Sequence, residues 1–552
     1  MKPMTRGLAV GALALALLPS ASQAQSKVQY WPLASVTGPG INDLTGSAIW
    51  LVPDVNGDSH ADVIEGDPAY AAGPTVLGRA TLRSGTDLSE IWHRDGATLW
   101  GGFGHEVIGL GDLNSDGIAD IGVGESQNGA GQFYILSGTD GSIIQVLSGI
   151  ANGDQFGWRA SDVGDTNGDG VSDFAVGAIA FNGPAPSSGA VFLYSGSNRS
   201  LLGSKSFRGT NGFGGALSAV GDNNLDGIPD LLVGDRVADA PGPIVDAGVI
   251  RVLSGTNLNT IRSVWGDTPS GLFGQNVAAC GDVNGDGIAE LATTAFKYGG
   301  AAPQRLVAVF SGATGALIFS RSDLKLGSQN ERSIAGGCDV NRDGTPDLVI
   351  GNDQESSFAG RVYVLSGSSG QIIRQIEGES GFGYAVHSGV DVTGDGIAEI
   401  AVGAPGNTTP NSLPYAYLFS GSCGVVNPQG YYPACSSDLL HMPELTAFGC
   451  FTGSGKMEMH VNGPVGSTAL ILAGTGLGFT PTGGYCAVRL SGILPIAVAV
   501  PLIDNGGVYS FDAAFSIPPV TGPISVSFQV AVLNSSYLDG FGMTETATIA
   551  FE

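Results

Sequence analysis

The sequence predicts an all-β fold: a seven-bladed β-propeller followed by a small immunoglobulin-like β-sandwich. Three observations carry this. An acidic nonapeptide recurs seven times, starting at Asp54, Asp112, Asp165, Asp222, Asp282, Asp339 and Asp391, with 52 to 60 residues from one start to the next. Each period holds four short runs rich in Val, Ile, Leu and Tyr and bounded by Gly, which read as strands. Four antiparallel strands repeated at such a period make a propeller blade. The composition agrees: 89 Gly, 43% hydrophobic and only 13% charged residues describe a packed, turn-rich chain, because disorder would need less apolar surface and more charge.

At the N-terminus, Lys2 and Arg6 precede the apolar run Gly7–Leu18, and small residues stand at Ser22 and Ala24. This is the pattern of a secretory signal over residues 1–24. The propeller is expected over 25–422 and the sandwich over 423–552. Within a period, a first strand opens on Phe-Gly (Phe103-Gly104, Phe156-Gly157, Phe213-Gly214, Phe273-Gly274, Phe382-Gly383) and runs into the acidic loop. A second, apolar strand starts after position 9 of the loop and closes on Gly-Ala or a variant, as in Gly177-Ala178 and Gly403-Ala404-Pro405. A variable linker, a third strand ending in Ser-Gly and a short fourth strand complete the unit. The loop at Asp391 is followed only by strands two and three. Val28–Leu33, with Trp31, is therefore expected to supply the missing strand of blade seven and close the ring, which removes an exposed sheet edge.

The acidic loops carry oxygen side chains at positions 1, 3, 5 and 9. The seven sets are Asp54, Asn56, Asp58 and Asp62; Asp112, Asn114, Asp116 and Asp120; Asp165, Asn167, Asp169 and Asp173; Asp222, Asn224, Asp226 and Asp230; Asp282, Asn284, Asp286 and Glu290; Asp339, Asn341, Asp343 and Asp347; and Asp391, Thr393, Asp395 and Glu399. Alternate oxygens around a sharp turn suit a hard cation, and Ca²⁺ takes six to eight oxygens at about 2.3–2.6 Å. Up to seven Ca²⁺ ions are expected. Three carboxylates in each of seven loops account for 21 of the 50 acidic residues. Such clusters repel unless neutralised, which favours bound cations over seven solvated turns. A helix-flanked calcium hand would want Glu at position 12. Only the first copy has one, Glu65, and the segments after the other copies read as strands.

Phe-Gly, the acidic loop and Gly-Ala-Pro, recurring in one register from about residue 28 to 422, resemble the FG-GAP repeat of integrin α-subunit headpieces and many exported bacterial proteins. The resemblance implies a Ca²⁺-binding hairpin between the first two strands of each blade and a binding or adhesion role. The first copy departs most, with Ser59 at the turn glycine of position 6, so its site is expected to be the weakest. Glu290, Glu399 and Thr393 keep an oxygen. In blade six, Asn330–Ile334 stands in place of Phe-Gly, which bears on packing there.

Charge narrows the partners. A formal net charge of −27 argues against nucleic acid and anionic membrane. Ile493–Ile503 is too short and too proline-rich to span a bilayer, so no membrane insertion is expected. The protein should be exported, extracellular or at the cell surface, with the periplasm as a further option. Calcium is expected to stiffen one face of the disc. The variable linkers Ile179–Ser188, Arg236–Ala247, Lys297–Gln304 and Gly406–Leu413 then emerge on the other, where an extracellular protein or carbohydrate would bind. The oligomeric state is open. His60, His93, His105, His387, His441 and His460 show no metal-ligand spacing, and no G-x-S-x-G or H-E-x-x-H occurs, so no enzyme is expected. A propeller-borne hydrolase or lyase and an inert structural protein remain the alternatives. Trp92, Trp100, Trp158 and Trp265 are read as core in preference to a sugar platform. Cys280 and Cys338 precede the loops of adjacent blades and either bridge two inner strands or stay as buried thiols. For the other four cysteines, three pairings are open and neighbour pairing, Cys423–Cys435 and Cys450–Cys486, is expected.

Overall fold

A computed structural model describes residues 32–419, apart from 39–42, 73–74, 182–188, 208–211, 243, 298–303, 325–332, 341–342, 356–358, 380, 394–396 and 407–413, and the strand backbones between Leu445 and Phe551. Seven four-stranded antiparallel sheets account for the first part. Six run in simple sequence order from innermost to outermost strand, and the seventh takes its outermost strand from the start of the chain. Blade one is Ala48–Val52, Asp62–Asp67, Arg79–Arg83 and Glu90–Asp95. Blade three, the most regular, is Phe156–Gly164, Asp173–Ala178, Ala190–Tyr194 and Leu201–Ser206.

Burial explains why the sheets stand as blades. Second strands such as Asp173–Ala178 are buried at every residue, because both of their faces meet a neighbouring blade. Fourth strands such as Leu201–Ser206 are largely exposed and sit at the rim. The apolar core is divided accordingly, with one cluster in each of the seven seams between neighbouring blades. The seam between blades seven and one is built like the others, from Leu51, Val63, Leu88, Ala401 and Leu418 among others. Inner strands of all seven blades line a central channel of about 320 Å³.

Ring closure occurs as expected, but with a later segment. Ala34–Thr37 pairs antiparallel with Tyr415–Phe419 and completes blade seven, and the Leu33 N–H donates to the Leu418 carbonyl (2.7 Å). The closing strand reads Ala-Ser-Val-Thr, with alternate residues exposed. Its weak apolar signal makes the Trp31 run the more visible candidate in the sequence; residues 28–31 lie outside the described residues.

Phe-Gly and Gly-Ala prove to be two halves of one seam contact. The Phe side chains of the five Phe-Gly pairs are at most 6% exposed. The carbonyl of each Phe-Gly glycine lies against the glycine four residues after position 9 of the preceding blade. A Cβ on Gly66, Gly124, Gly177, Gly234 or Gly351 would collide with the carbonyl of Gly104, Gly157, Gly214, Gly274 or Gly383 respectively. Blade one carries Thr45-Gly46 in place of Phe-Gly and keeps the contact, since a Cβ on Gly403 would collide with the Gly46 carbonyl. In blade five the corresponding residue is Thr294, and the next blade, six, has neither the Phe nor the Gly of the pair. The two departures compensate each other. Thr294 fills the space and accepts a hydrogen bond from Asn276 Nδ2 (2.9 Å), which also reaches Ser333 Oγ (3.4 Å).

At three seams the inner strands are also stitched to one another by the residue four before the loop. Ser161 Oγ accepts from Ala219 N–H (3.0 Å), Ser218 Oγ from Ala279 N–H (3.2 Å), and His387 Nδ1 from Leu51 N–H (3.2 Å) at the closing seam. Burial pushes the His387 imidazole down to about 3, so it stays neutral and keeps Nδ1 as an acceptor. Cys280 and Cys338 are buried free thiols, not a bridge.

The chain divides into two units, Gln29–Pro433 and a second containing Ala434–Glu552. In the second, Leu445–Thr452, Lys456–Asn462, Tyr509–Ser516 and Ile503–Asp504 form one four-stranded sheet. Ile493–Pro501, Thr468–Gly474, Ile524–Leu533 and Phe541–Phe551 form another, and Leu477–Thr482 pairs with Tyr485–Leu490. Cys423 and Cys435, and the side chains of Cys450 and Cys486, lie outside the described residues.

The seam contact sets a quantitative expectation. Gly177→Ala should destabilise the propeller by about 1–3 kcal/mol or somewhat more, the range for overpacking, because the opposing atom is backbone. Thr294→Ala, at the seam that already holds a side chain, should cost under about 1.5 kcal/mol. Urea unfolding followed by tryptophan fluorescence measures both, and equal costs would remove the lock.

Candidate metal centres

The acidic loops connect the first and second strands of each blade. In the first five copies their backbone path is set by two left-handed residues, at positions 4 and 6. In the third copy these are Gly168 (φ 77°) and Gly170 (φ 86°); in the second, Ser115 (φ 64°) and Gly117 (φ 87°). Ser59 takes φ 69° at position 6 of the first copy. Its N–H still donates to Asp54 Oδ2 (2.7 Å), as Gly117 and Gly170 donate to Asp112 and Asp165 (both 2.8 Å). The departure there costs strain but leaves the loop's shape intact.

Each loop oxygen has a repeated place. The position 1 carboxylate accepts N–H bonds from the turn, as Asp165 does from Gly168, Asp169 and Gly170. The position 3 amide oxygen accepts the position 5 N–H, seen in Asn56, Asn114, Asn167, Asn224 and Asn284 at 2.8–2.9 Å. The position 5 carboxylates accept the position 7 N–H and are solvent-facing. Against slight desolvation, hydrogen bonding holds Asp58 below the usual carboxylate range, and hydrogen bonding holds Asp116 and Asp169 there too. Asn341 and Asp395 lie outside the described residues.

Position 9 is different in kind. Asp62, Asp120, Asp173, Asp230, Glu290, Asp347 and Glu399 all have 0% exposure. Each accepts the N–H of position 2, from Val55, Leu113, Thr166, Asn223, Val283, Val340 and Val392, at 2.6–2.9 Å. The second oxygen accepts from the glycine of the Ser-Gly pair after strand three: Gly85, Gly138, Gly196, Gly255 and Gly367 donate at 2.9–3.2 Å. Burial, against these bonds and with nearby like charge adding to it, pushes Asp62, Asp120 and Asp230 up from 3.8 to about 6.

In the sequence Ser-Gly marks only a strand end, and its part in these centres is not visible there. A side chain on the glycine would strike the position 8 carbonyl, for example that of Ser172 against Gly196. The hydroxyls beside it reach the position 5 carboxylate: Ser84 Oγ to Asp58 (3.0 Å), Thr139 Oγ1 to Asp116 (3.2 Å), Ser195 Oγ and Ser197 Oγ to Asp169 (3.3 and 2.7 Å). The first and third connections therefore share one face of the disc. A signal exists, since Ser-Gly followed by Ser or Thr recurs, but no spacing rule links it to a loop about 25 residues upstream.

Convergence is tightest in the fifth copy. Asp282, Asp286 and Glu290 bring carboxylate oxygens within 4.8 Å of one another, the group among the described residues that does so. Glu290 reaches one methylene further from its buried root than the aspartates do, and the Asp282 and Asp286 charges help to raise its pKa, after burial.

The remaining sequence candidates do not assemble. His60 Nδ1 pairs with the Val392 carbonyl across the closing seam (2.8 Å), and His93 with Glu90 (2.6 Å). Trp92 is core, its Nε1 donating to the Gly138 carbonyl (2.6 Å); Trp158 packs against His105 with the rings tilted (4.4 Å), and Trp265 lies by Arg251 (5.1 Å). Trp100 alone of these four is largely exposed, at 68%.

A family model for the FG-GAP repeat matches residues 332–365 and 382–418. Integrin alpha-8 of Mus musculus is 30% identical over 203 residues, 33% of this chain and 18% of that protein. Integrin alpha-5 of Xenopus laevis is 31% identical over 206 residues (33% and 19%), and integrin alpha-6 of Gallus gallus 34% over 163 residues (25% and 14%). The chain thus spans less than a fifth of the length of these relatives. No helix among the described residues is long and apolar enough to cross a membrane. With seven blades, Phe-Gly seams and acidic hairpins in one register, the chain is a seven-bladed β-propeller that carries FG-GAP repeats and is similar to integrin α subunits over part of its length.

Proposed function

We propose that the protein is an exported, calcium-stabilised propeller acting as a binding or adhesion module for an extracellular protein or carbohydrate. The observation that carries the metal is the seven-fold repeat of a carboxylate with no exposure whose proton affinity is raised or whose surroundings are acidic. Two N–H donors do not fully replace the hydration lost on burial. A Ca²⁺ ion between positions 1, 3, 5 and 9 would supply the missing positive charge, and the donor set is all oxygen, as that ion requires. The fifth loop fits best. Bound calcium would fix the acidic loop and, through position 9, the Ser-Gly turn, so one whole face becomes rigid. The opposite face, which carries the linkers between strands two and three and between blades, is left to bind.

Calcium should raise the Tm of the purified chain, and EDTA lower it, by several degrees in differential scanning calorimetry. Glu290→Gln should reduce bound calcium by about one ion per chain, counted by equilibrium dialysis; an unchanged count removes the fifth site.

Proton linkage gives the calcium-free protein a definite pH dependence. Asp62, Asp120 and Asp230 bind protons more tightly when folded (about 6) than at the ordinary aspartate value of 3.8. In EDTA their contribution to stability is greatest at low pH and is lost as pH rises from about 4 through about 6. Asp120→Asn should flatten part of that slope in Tm against pH. Calcium should reverse it, because the ion needs the ionised form.

Recognition is tested by surface capture of extracellular protein and glycan partners by the full chain, wild type against variants with Arg236–Ala247 replaced by a short glycine linker. Equal capture would show that this face is not the one used.

A further inference from the structure

We propose that Trp100 anchors a site for a neutral glycan on the face opposite the acidic loops. This rests on the binding-module reading and names its ligand class. Trp100 lies in the link between blades one and two, its N–H donating to the Val76 carbonyl (3.0 Å). The equivalent link positions are Gly153, whose N–H donates to Gly129, and Ser270, whose N–H donates to Val245. All three are left-handed, with φ 59°, 87° and 53°. The fold asks for glycine there, and a bulky aromatic is disfavoured. Trp100 also gains little by burial, since it is 68% exposed. Neither local conformation nor packing accounts for a tryptophan at this point, and such outliers concentrate at binding sites.

Its surroundings define the ligand. The link is bound to the neighbouring hairpin by Gln127 N–H to Gly101 O (3.1 Å) and Asn128 Nδ2 to Thr98 Oγ1 (3.0 Å). That hairpin is bound to the next link by Gly153 N–H to Gly129 O (2.7 Å). The three segments, residues 97–102, 126–131 and 150–153, form one strip without a charged residue, in a chain of net charge −27. On it stand Leu99 and Ile150, 55% and 73% exposed, with the exposed side chains of Gln127 and Asn152. An aromatic face with a polar N–H, flanked by amides, matches a sugar ring, which offers C–H groups on one face and hydroxyls at its edge. A neutral strip in an acidic surface matches an uncharged polymer and gives no steering to a charged protein.

The test is native affinity electrophoresis of the full chain with calcium, in gels containing soluble β-glucan, mannan, xylan or starch. Retardation is expected in at least one gel, reduced at least about tenfold in affinity by Trp100→Ala and partly kept by Trp100→Phe. Retention should persist between about 0.05 and 0.5 M salt, since no charge takes part. Trp100→Gly should leave Tm equal or higher, because glycine relaxes the left-handed position, and Trp100→Ala, which keeps a Cβ, should leave it nearly unchanged. Normal mobility in all four gels, equal retardation of Trp100→Ala, loss of retention in salt, or a Tm several degrees lower in both small variants would each overturn the site. Capture of a protein partner without glycan retention would overturn this inference and leave the binding-module reading standing.

Discussion

A carboxylate sealed from solvent at the root of every acidic loop organises the blade. In the first four copies and the sixth its two oxygens accept N–H groups from parts of the chain far apart in sequence: position 2 of the loop, and the glycine after strand three. One residue thereby ties the hairpin of strands one and two to the hairpin of strands three and four. Removing it would leave two buried N–H groups without acceptors, a loss larger than the net worth of either bond. Keeping it leaves a charge in a dry place, which a proton at low pH or the proposed cation at neutral pH would relieve. The metal question and the folding question meet in the same side chain.

The second constraint acts between blades. A glycine carbonyl of one blade occupies the space that a Cβ would need in its neighbour, so the two glycines of a seam constrain each other, whereas the Phe can change alone, as at Thr45-Gly46 against Gly403. Blades five and six show this directly. Thr294 appears where Phe-Gly is absent downstream, and the exchange turns a backbone-on-backbone contact into a buried polar network through Asn276, Thr293 and Ser333. The closing seam obeys the same logic with a different part: neutral His387 takes the place that Ser161 and Ser218 hold elsewhere.

Periodicity made the blades legible, because a strand that is buried on both faces and a glycine that is sterically required leave marks in every copy. The acidic positions were legible for the same reason. Repetition did not reveal partners that meet only through the fold. The Ser-Gly turn recurs along the chain without showing that its N–H and hydroxyls face the loop. The closing strand Ala34–Thr37 was overshadowed by a more apolar run, since at the rim a strand needs backbone pairing more than hydrophobic side chains. Trp100 belongs with three other tryptophans by residue type, whereas burial separates it from them.

The two faces of the disc are under opposite pressures. On the acidic face the first five copies reproduce the same left-handed turns and nearly the same bonds, so even Ser59 is drawn into a conformation that suits glycine. Identity of residue there is dictated by geometry. On the other face the links between blades keep the turn, as at Trp100, Gly153 and Ser270, but nothing packs on the side chain it presents. A position whose backbone is fixed while its side chain is free can carry a different group in each blade without cost to the ring beyond local strain. That is the physical condition for seven similar blades to present one asymmetric surface.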